Sequence, residues 1–465
     1  MENQNREVGD SSEVEQPNEE DWFSALPDTL IHHVLSFVDM TIAVQTSVLS
    51  NRWRYVWRSM PVLNFSFREW ISMRQGGWPR KKKGFMDFME QMLVTEEDFH
   101  IDKFDLYDYG CHLDESRVRS SVIRALNRHV ESLCLNITLI EPLDLPQLLF
   151  TSNLKVLKLY IPHSSHARLP SSLCTDAQIQ NLELHGVIFP NDDGSDEFSL
   201  KCPVLESLKI SHCDLTNLKS LCIDTPLLEI LKFGNLFTST DTSCEVRIHT
   251  PNLKLLEFEI PSWSNNGVIA DYFVDNLSTL VSAYVHFGDP SYNLLNRYSE
   301  CLVKILHGVN NVQFLDLSAS SIKIITGCPE LLQRIPDLFP KLTQATVGIP
   351  FEAPLDGVLN VLEKFHHLET LTIFWEKYKH VQTVNHVKNV SFKGIFSHLK
   401  TIKIKSLSDG RSELKLLEIL LKKAIVLEDV IIFAEDPSSH NFLKFLSRVQ
   451  ALPRASLIAT IRLVQ

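Results

Sequence analysis

Two adjacent histidine pairs, His32–His33 and His366–His367, and nine scattered cysteines are the residues of this chain most suited to chemistry. Histidine with cysteine would build a metal site, and cysteine beside histidine an activated nucleophile. The spacing supports neither. Neighbours on a helix point about 100° apart, so an adjacent pair makes poor joint ligands for one ion. The cysteines at 111, 134, 174, 202, 213, 222, 244, 301 and 328 form no CxxC pair. Cys202, Cys213 and Cys222 follow at irregular intervals, as single core cysteines do. The phosphate-binding glycine–lysine loop, the dinucleotide glycine fingerprint, HExxH and GxSxG are all missing from the sequence. The chain is therefore expected not to be an enzyme, and to use no metal and no cofactor.

Composition narrows the partners. A net charge of −12 over 465 residues argues against a general nucleic-acid binder. No apolar run reaches the length of about eighteen residues that a membrane span needs, and the acidic N-terminus is unlike a signal peptide. An odd number of cysteines without a secretory signal points to free thiols in the cytoplasm, the nucleus or both. The one dense basic run, Arg80-Lys81-Lys82-Lys83, could be a nuclear-localisation signal; Gly76, Gly77, Pro79 and Gly84 around it also suit a solvated loop.

What remains is surface, and it concentrates in residues 21–65, DWFSALPDTLIHHVLSFVDMTIAVQTSVLSNRWRYVWRSMPVLNF. Pro27 and Asp28 suit a helix start. Leu30, Val34, Phe37 and Val38 make a helical stripe, which Ile31 and Leu35 widen beyond one buried side. Asp39 caps a second helix over Thr41–Leu49, and Ser50 or Asn51 a third that carries Trp53, Tyr55 and Trp57. A unit of about 45 residues cannot bury so many large side chains within itself, so part of this surface must face a partner.

The ordered blocks LPDTLIHHVLSF, SVLSNRWRYVW and PVLNF resemble the F-box as plants write it, departing where many relatives have Leu-Pro-Thr-Lys and this chain has Val38, Asp39, Met40 and Thr41. The resemblance implies docking to the Skp-family adaptor of a cullin-RING ubiquitin ligase. It implies that Leu26 and Pro27 begin the adaptor-contacting helix and that Leu30, Ile31, Val34, Leu35 and Val38 are its apolar contacts. It further implies that Leu49, Trp53 and Trp57 belong to the packing of the last helix on the adaptor side.

From Val130 a second pattern takes over: aliphatic, two others, aliphatic, one other, apolar. It reads VESLCL, LKVLKL at Leu154, IQNLEL at Ile179, LESLKI at Leu205, LEILKF at Leu228 and LKLLEF at Leu253, then LVSAYV at Leu280. VQFLDL at Val312, LTQATV at Leu342, LETLTI at Leu368, LKTIKI at Leu399 and LEDVII at Leu427 complete twelve copies. The steps run 24, 25, 26, 23, 25, 27, 32, 30, 26, 31 and 28, the period of leucine-rich repeats. The first, fourth and sixth positions point inward, and neighbouring copies pair in a parallel sheet. LKSLCI at Leu218 falls between two in-phase copies and reads as a return segment. Pro203, Pro226 and Pro251 precede their copies by about two residues, where no ladder N–H is needed.

Residues 391–465 read strand–helix–strand–helix–strand, with Leu414, Leu417, Ile419, Leu420 and Leu421 on a helix ending in Lys422 and Lys423. GRSELKLLEILLKKA and LPRAS are similar to the FBD region that closes many plant F-box/leucine-rich-repeat proteins. The expected fold is α/β: a three-helix F-box, then a curved leucine-rich-repeat solenoid with a parallel sheet and a C-terminal α/β cap. The expected order is an acidic disordered tail at 1–20, the F-box at 21–65 and a connector at 66–99. The solenoid then occupies 100–390, and the FBD-like region 391–465 continues and caps it. Loops are expected in the loosest spacing, between 253 and 312.

The expected function is substrate recognition for an SCF-type ubiquitin ligase, with the F-box on the adaptor and the repeats on a protein target. The alternative is a repeat scaffold or ligand sensor outside a ubiquitin ligase. Candidate target contacts are aromatic residues at the fifth, seventh and eighth positions, away from the core: Tyr160, Tyr284, His286, Phe374 and Trp375, with Tyr378 just beyond. Neither nucleic acid nor membrane is an expected partner.

Overall fold

The computed structural model describes all residues except 1–25, 74–76, 95–99, 109, 163–165, 171–176, 191–195, 239–242, 261–269, 275–276, 291–293, 335–338, 351–354, 377–395, 406–410, 434–439 and 465. The acidic tail and Tyr378 lie outside the described residues.

Three short helices open the chain: α1 at Asp28–Leu35, α2 at Met40–Gln45 and α3 at Trp53–Val56. Each begins where a local acceptor or a pre-set φ allows. Pro27 occupies the N-cap of α1, one residue before the position expected for it. The Asp39 carboxylate accepts from the Thr41 N–H at 2.7 Å and caps α2. The Ser50 hydroxyl accepts from the Trp53 N–H ahead of α3. The second helix is shorter than expected: a 3-10 turn at Thr46–Val48 replaces its last turn.

Fifteen parallel strands in a single sheet follow, labelled here β1–β15 in chain order. The first eight are β1 (Val62–Ser66), β2 (Lys103–Tyr107), β3 (Ser132–Asn136), β4 (Val156–Tyr160), β5 (Asn181–His185), β6 (Ser207–Ser211), β7 (Ile230–Phe233) and β8 (Leu255–Ile260). The rest are β9 (Ser282–Phe287), β10 (Phe314–Leu317), β11 (Gln344–Ile349), β12 (Thr370–Trp375), β13 (Thr401–Lys405), β14 (Asp429–Phe433) and β15 (Thr460–Val464). Each copy of the sequence pattern supplies one strand. The fourth positions align across the ladder, Leu133 to Leu157, Leu182, Leu208, Leu231 and Leu256, and all six are fully buried. No strand could cover that row alone, so stacking supplies the core.

The sheet begins ahead of residue 100, the expected start of the solenoid. It starts at β1, directly after the F-box helices, and runs to β15. The expected connector, 66–99, is largely helical among its described residues, with helices at Phe67–Ser72 and Trp78–Val94. Helix Trp78–Val94 runs through the basic run and buries Phe85, Met86, Met89 and Leu93. Lys81 donates to the Ile71 carbonyl at 3.2 Å, Lys82 to the His112 carbonyl, and the Trp70 indole to the Lys81 carbonyl at 2.9 Å. Gly84 permits this packing: a Cβ there would sit 3.2 Å from the Trp70 ring. Two of the four cations are thus engaged within the fold, in a helix rather than a free loop.

The chain returns from each strand in two ways. The first returns are helical, Trp78–Val94 before β2 and Glu115–Asn127 before β3; between β3 and β9 the chain uses short strands, which build two further parallel sheets among the described residues. One joins two-residue strands such as Val187–Ile188 and Cys213–Asp214; the other joins Glu197–Leu200, Ser220–Asp224, Glu245–His249 and Asp271–Val274. Ser220–Asp224 is the LKSLCI segment, a return strand as expected. From Leu295 on, the returns are helices: Leu295–Gly308, Ala319–Gly327, Pro329–Arg334, Leu355–Leu362, Arg411–Lys423 and His440–Gln450. The loops expected between 253 and 312 therefore give way in part to helix, at Leu295–Gly308. This change explains the longer steps of 32 and 30 after Leu280. A helix advances about 1.5 Å per residue against about 3.3 Å for a strand, so a helical return needs more residues to span the same layer.

One turn has no substitute residue. Gly186, with φ +72°, leaves β5 so close to β4 that a Cβ would lie 1.5 Å from the Ile161 carbonyl oxygen.

Candidate docking surfaces

Helix α1 carries two adjacent apolar stripes, and packing separates them. Ile31 and Leu35 are buried with Trp53 in the core cluster, so these three hold the helices together rather than meeting a partner. This corrects their expected role as adaptor contacts. Leu26, Val38 and Trp57 are half-buried against the same core. Leu30, Val34 and Leu49 stay 50%, 55% and 59% exposed, and Pro27 is exposed. Phe37 at 74% and Val48 at 86% join them. Phe37 lies on the stripe begun by Leu30 and Val34, and Val48 precedes Leu49; both were legible as neighbours of named positions. The site also includes Tyr55, exposed beneath the Arg58 guanidinium at 5.0 Å from its ring centre.

Polar contacts fix the helices under this surface. The Arg52 guanidinium Nε donates to Asp28 at 3.0 Å across α1 and the start of α3. His32 Nε2 lies 3.1 Å from the Val56 carbonyl and 3.2 Å from the Ser59 hydroxyl, which makes it a strut between helices. His33 meets the Phe37 ring edge-on at 5.0 Å. No group of three metal-ligating side chains occurs among the described residues.

The second surface is the open face of the large sheet. Tyr160 donates its hydroxyl to Glu183, which also takes Lys158 at 2.6 Å. Burial and the Glu183 carboxylate push the Tyr160 phenol above its ordinary range. Tyr284 packs against Phe314, ring centres 5.3 Å apart, and His286 Nε2 sits 3.0 Å from the Asp316 carboxylate. That hydrogen bond raises the His286 pKa above 6.5, against the opposing effect of burial, with Asp316, Glu257 and Glu259 adding to the rise. Phe374 is half-buried on this face. Trp375 is not on it: strand β12 continues through Trp375, alternation turns the side chain inward, and it is only 6% exposed. The eighth pattern position here extends the strand instead of opening a loop. The candidate residues also stand apart, with Tyr160 on β4, Tyr284 and His286 on β9 and Phe374 on β12, so they form separate places along the sheet.

The pair His286–Asp316 carries a pH signature. Stabilisation from a histidine whose folded pKa is raised is complete below 6.5 and is lost as pH rises through the folded value. Asp316→Asn is expected to return the His286 titration, followed by imidazole NMR shifts, toward 6.5; an unchanged titration would show that Asp316 is not its partner.

On the return side, a cavity of about 500 Å³ is lined by Tyr272, Phe273, Val274, Lys304, His307 and Arg334. Its cations are matched, Lys304 by Asp271 at 3.1 Å and Arg334 by Glu300 at 2.9 Å. No helix among the described residues is long and apolar enough to cross a membrane.

Residues 23–65 match the F-box domain. An F-box/LRR-repeat protein of Arabidopsis thaliana is 26% identical over 93% of this chain and 86% of its own length. An F-box/FBD/LRR-repeat protein of the same plant is 24% identical over 94% of this chain and 95% of its own length. A further Arabidopsis F-box/LRR-repeat protein is 24% identical over 96% of this chain and 94% of its own. The chain thus has an N-terminal F-box, and its similarity to plant F-box/LRR-repeat and F-box/FBD/LRR-repeat proteins extends over most of its length.

Proposed function

We propose that this F-box chain is the substrate-recognition subunit of an SCF-type cullin-RING ubiquitin ligase. The observation that carries the reading is the cluster of exposed apolar side chains on its F-box, Leu30, Val34, Phe37, Val48 and Leu49, each at least half exposed. A surface of this kind is stable in water chiefly when a partner covers it. A Skp-family adaptor is the partner that F-box domains meet, and it would link the chain to a cullin. The open sheet face would then hold a protein target near the ubiquitin-charged enzyme. Its contribution is effective concentration, since a tethered target reacts as though in a small volume. No bond chemistry is asked of this chain.

The adaptor step is tested by titrating purified chain with a recombinant Skp-family adaptor. Tight binding by a chain lacking residues 26–65 would refute it. The target step is tested on the open face. Tyr284→Ala removes the ring that packs on Phe314 without touching the F-box. It is expected to reduce ubiquitination of the bound protein at least tenfold while adaptor affinity stays unchanged. Full ubiquitination by Tyr284→Ala, Tyr160→Ala and Phe374→Ala variants alike would place the target elsewhere.

A further inference from the structure

The open face changes sign along its length. On β8–β10 the outward charges are Glu257, Glu259 and Asp316, with His286 beside them. On β13–β15 they are Lys403, Lys405 and Arg462 against Asp429 alone. The chain as a whole carries −12, so this cationic end is a local reversal.

Apolar side chains stand between these cations. By register Phe374 neighbours Lys405, Lys403 neighbours Ile431, Ile431 neighbours Arg462, and Phe433 neighbours Val464. The Lys405 ammonium lies 5.6 Å from the centre of the Phe433 ring. Two rows result, Lys403–Ile431–Arg462 and Phe374–Lys405–Phe433–Val464. Arg462 is held by Asp429 at 2.8 Å, whereas Lys403 and Lys405 have no ion pair among the described residues. Lys405 and Val464 are exposed, and Phe374, Ile431 and Phe433 are half-buried.

We infer that this patch captures a short acidic segment of the target that also carries apolar side chains. The inference rests on the target-receptor reading above and names the chemistry of the target. Carboxylates would meet Lys403 and Lys405, which have no ion pair among the described residues. Apolar side chains of the segment would cover Phe374, Phe433 and Val464. Four adjacent strands at about 4.8 Å spacing match roughly five residues of extended chain. Nucleic acid fits less well. A phosphate backbone longer than that would run onto the acidic strands, and two lysines release few counterions.

The probe is a fluorescein-labelled hexapeptide, Asp-Glu-Phe-Asp-Leu-Glu, titrated into the full chain bound to its adaptor and followed by anisotropy. The same peptide with lysine at every acidic position and a six-nucleotide single-stranded DNA serve as comparisons. The acidic peptide is expected to bind, and Lys403→Glu with Lys405→Glu to weaken it at least tenfold and to gain the lysine peptide instead. Phe433→Ala should weaken the acidic peptide severalfold at unchanged melting temperature. No binding of the acidic peptide, equal binding by the charge-reversed variant, or tighter binding of the DNA would each overturn the inference. Adaptor affinity and ubiquitination, measured on the same samples, keep the two readings apart. A target still ubiquitinated by the charge-reversed variant but not by Tyr284→Ala refutes the patch and leaves the receptor reading standing. Absence of adaptor binding refutes the receptor reading whatever the peptides do.

Discussion

Leu30→Ala and Phe37→Ala are each expected to weaken adaptor binding by about 2 kcal/mol or more, roughly thirtyfold, without lowering the melting temperature. Both side chains are at least half exposed in the free chain, so truncation removes nothing from its core. In a complex they would be central apolar anchors, and such anchors dominate interface energy. Ile31→Ala, one residue along, should behave in the opposite way. Ile31 is fully buried, and its loss is expected to cost about 2–5 kcal/mol of stability through the cavity it leaves. Calorimetric titration with the adaptor and denaturant unfolding of the same variants separate the two. If Leu30→Ala destabilised the chain and left the adaptor affinity intact, the outward stripe would be structural and the assignment of this surface would fail.

That contrast shows what the sequence could and could not convey about the site. Leu30, Ile31, Val34 and Leu35 are all apolar, and periodicity alone supports either pair as the inner one. The choice is made by tertiary packing, with Met40, Ala43, Trp53 and Val56 completing the buried side. The repeats were easier to read, because each inward triad needs aliphatic side chains at fixed spacing whatever surrounds it. Their return segments were not. A return needs only to cover one edge of the core, and both the strand Ser220–Asp224 and the helix Leu295–Gly308 do so.

Local composition misled where tertiary contacts overrode it. Glycines, a proline and four consecutive cations describe a loop by propensity, yet helix Trp78–Val94 forms because its apolar face is buried against Phe67 and Trp70 and its lysines find carbonyls. Trp375 is the same lesson on a strand. One further residue of pairing, Trp375 with Ile349, converts an expected surface aromatic into a buried one.

Asp39 should prove to be the residue that joins the F-box to the sheet. Its carboxylate accepts from the Thr41 N–H at 2.7 Å, capping α2, and from the Ser66 N–H at 2.5 Å, at the last residue of β1. Ser66 in turn caps the following helix, its hydroxyl accepting from the Glu69 N–H. One buried side chain thus ties an F-box helix, the first sheet strand and the next helix. Asp39→Ala leaves two N–H groups inside without acceptors and is expected to cost about 2–5 kcal/mol. Asp39→Asn keeps one acceptor oxygen but turns an amide donor toward the other N–H, for an expected loss of about 1–3 kcal/mol. The pH dependence has a definite sign. Burial raises the Asp39 pKa above 3.8, the hydrogen bonds from Thr41 and Ser66 opposing it. The folded chain therefore holds this proton more tightly than the unfolded chain. Asp39's contribution to stability is complete below 3.8 and falls as pH rises through the folded value, a slope that Asp39→Asn removes. Amide exchange at Ser66 is the direct readout of the joint and should accelerate strongly in Asp39→Ala. Leu30 and Phe37 are untouched by the change, so saturating adaptor should restore part of the lost stability by binding only the folded F-box. Unchanged Ser66 exchange in Asp39→Ala would mean that the F-box and the sheet are joined by their apolar contacts alone.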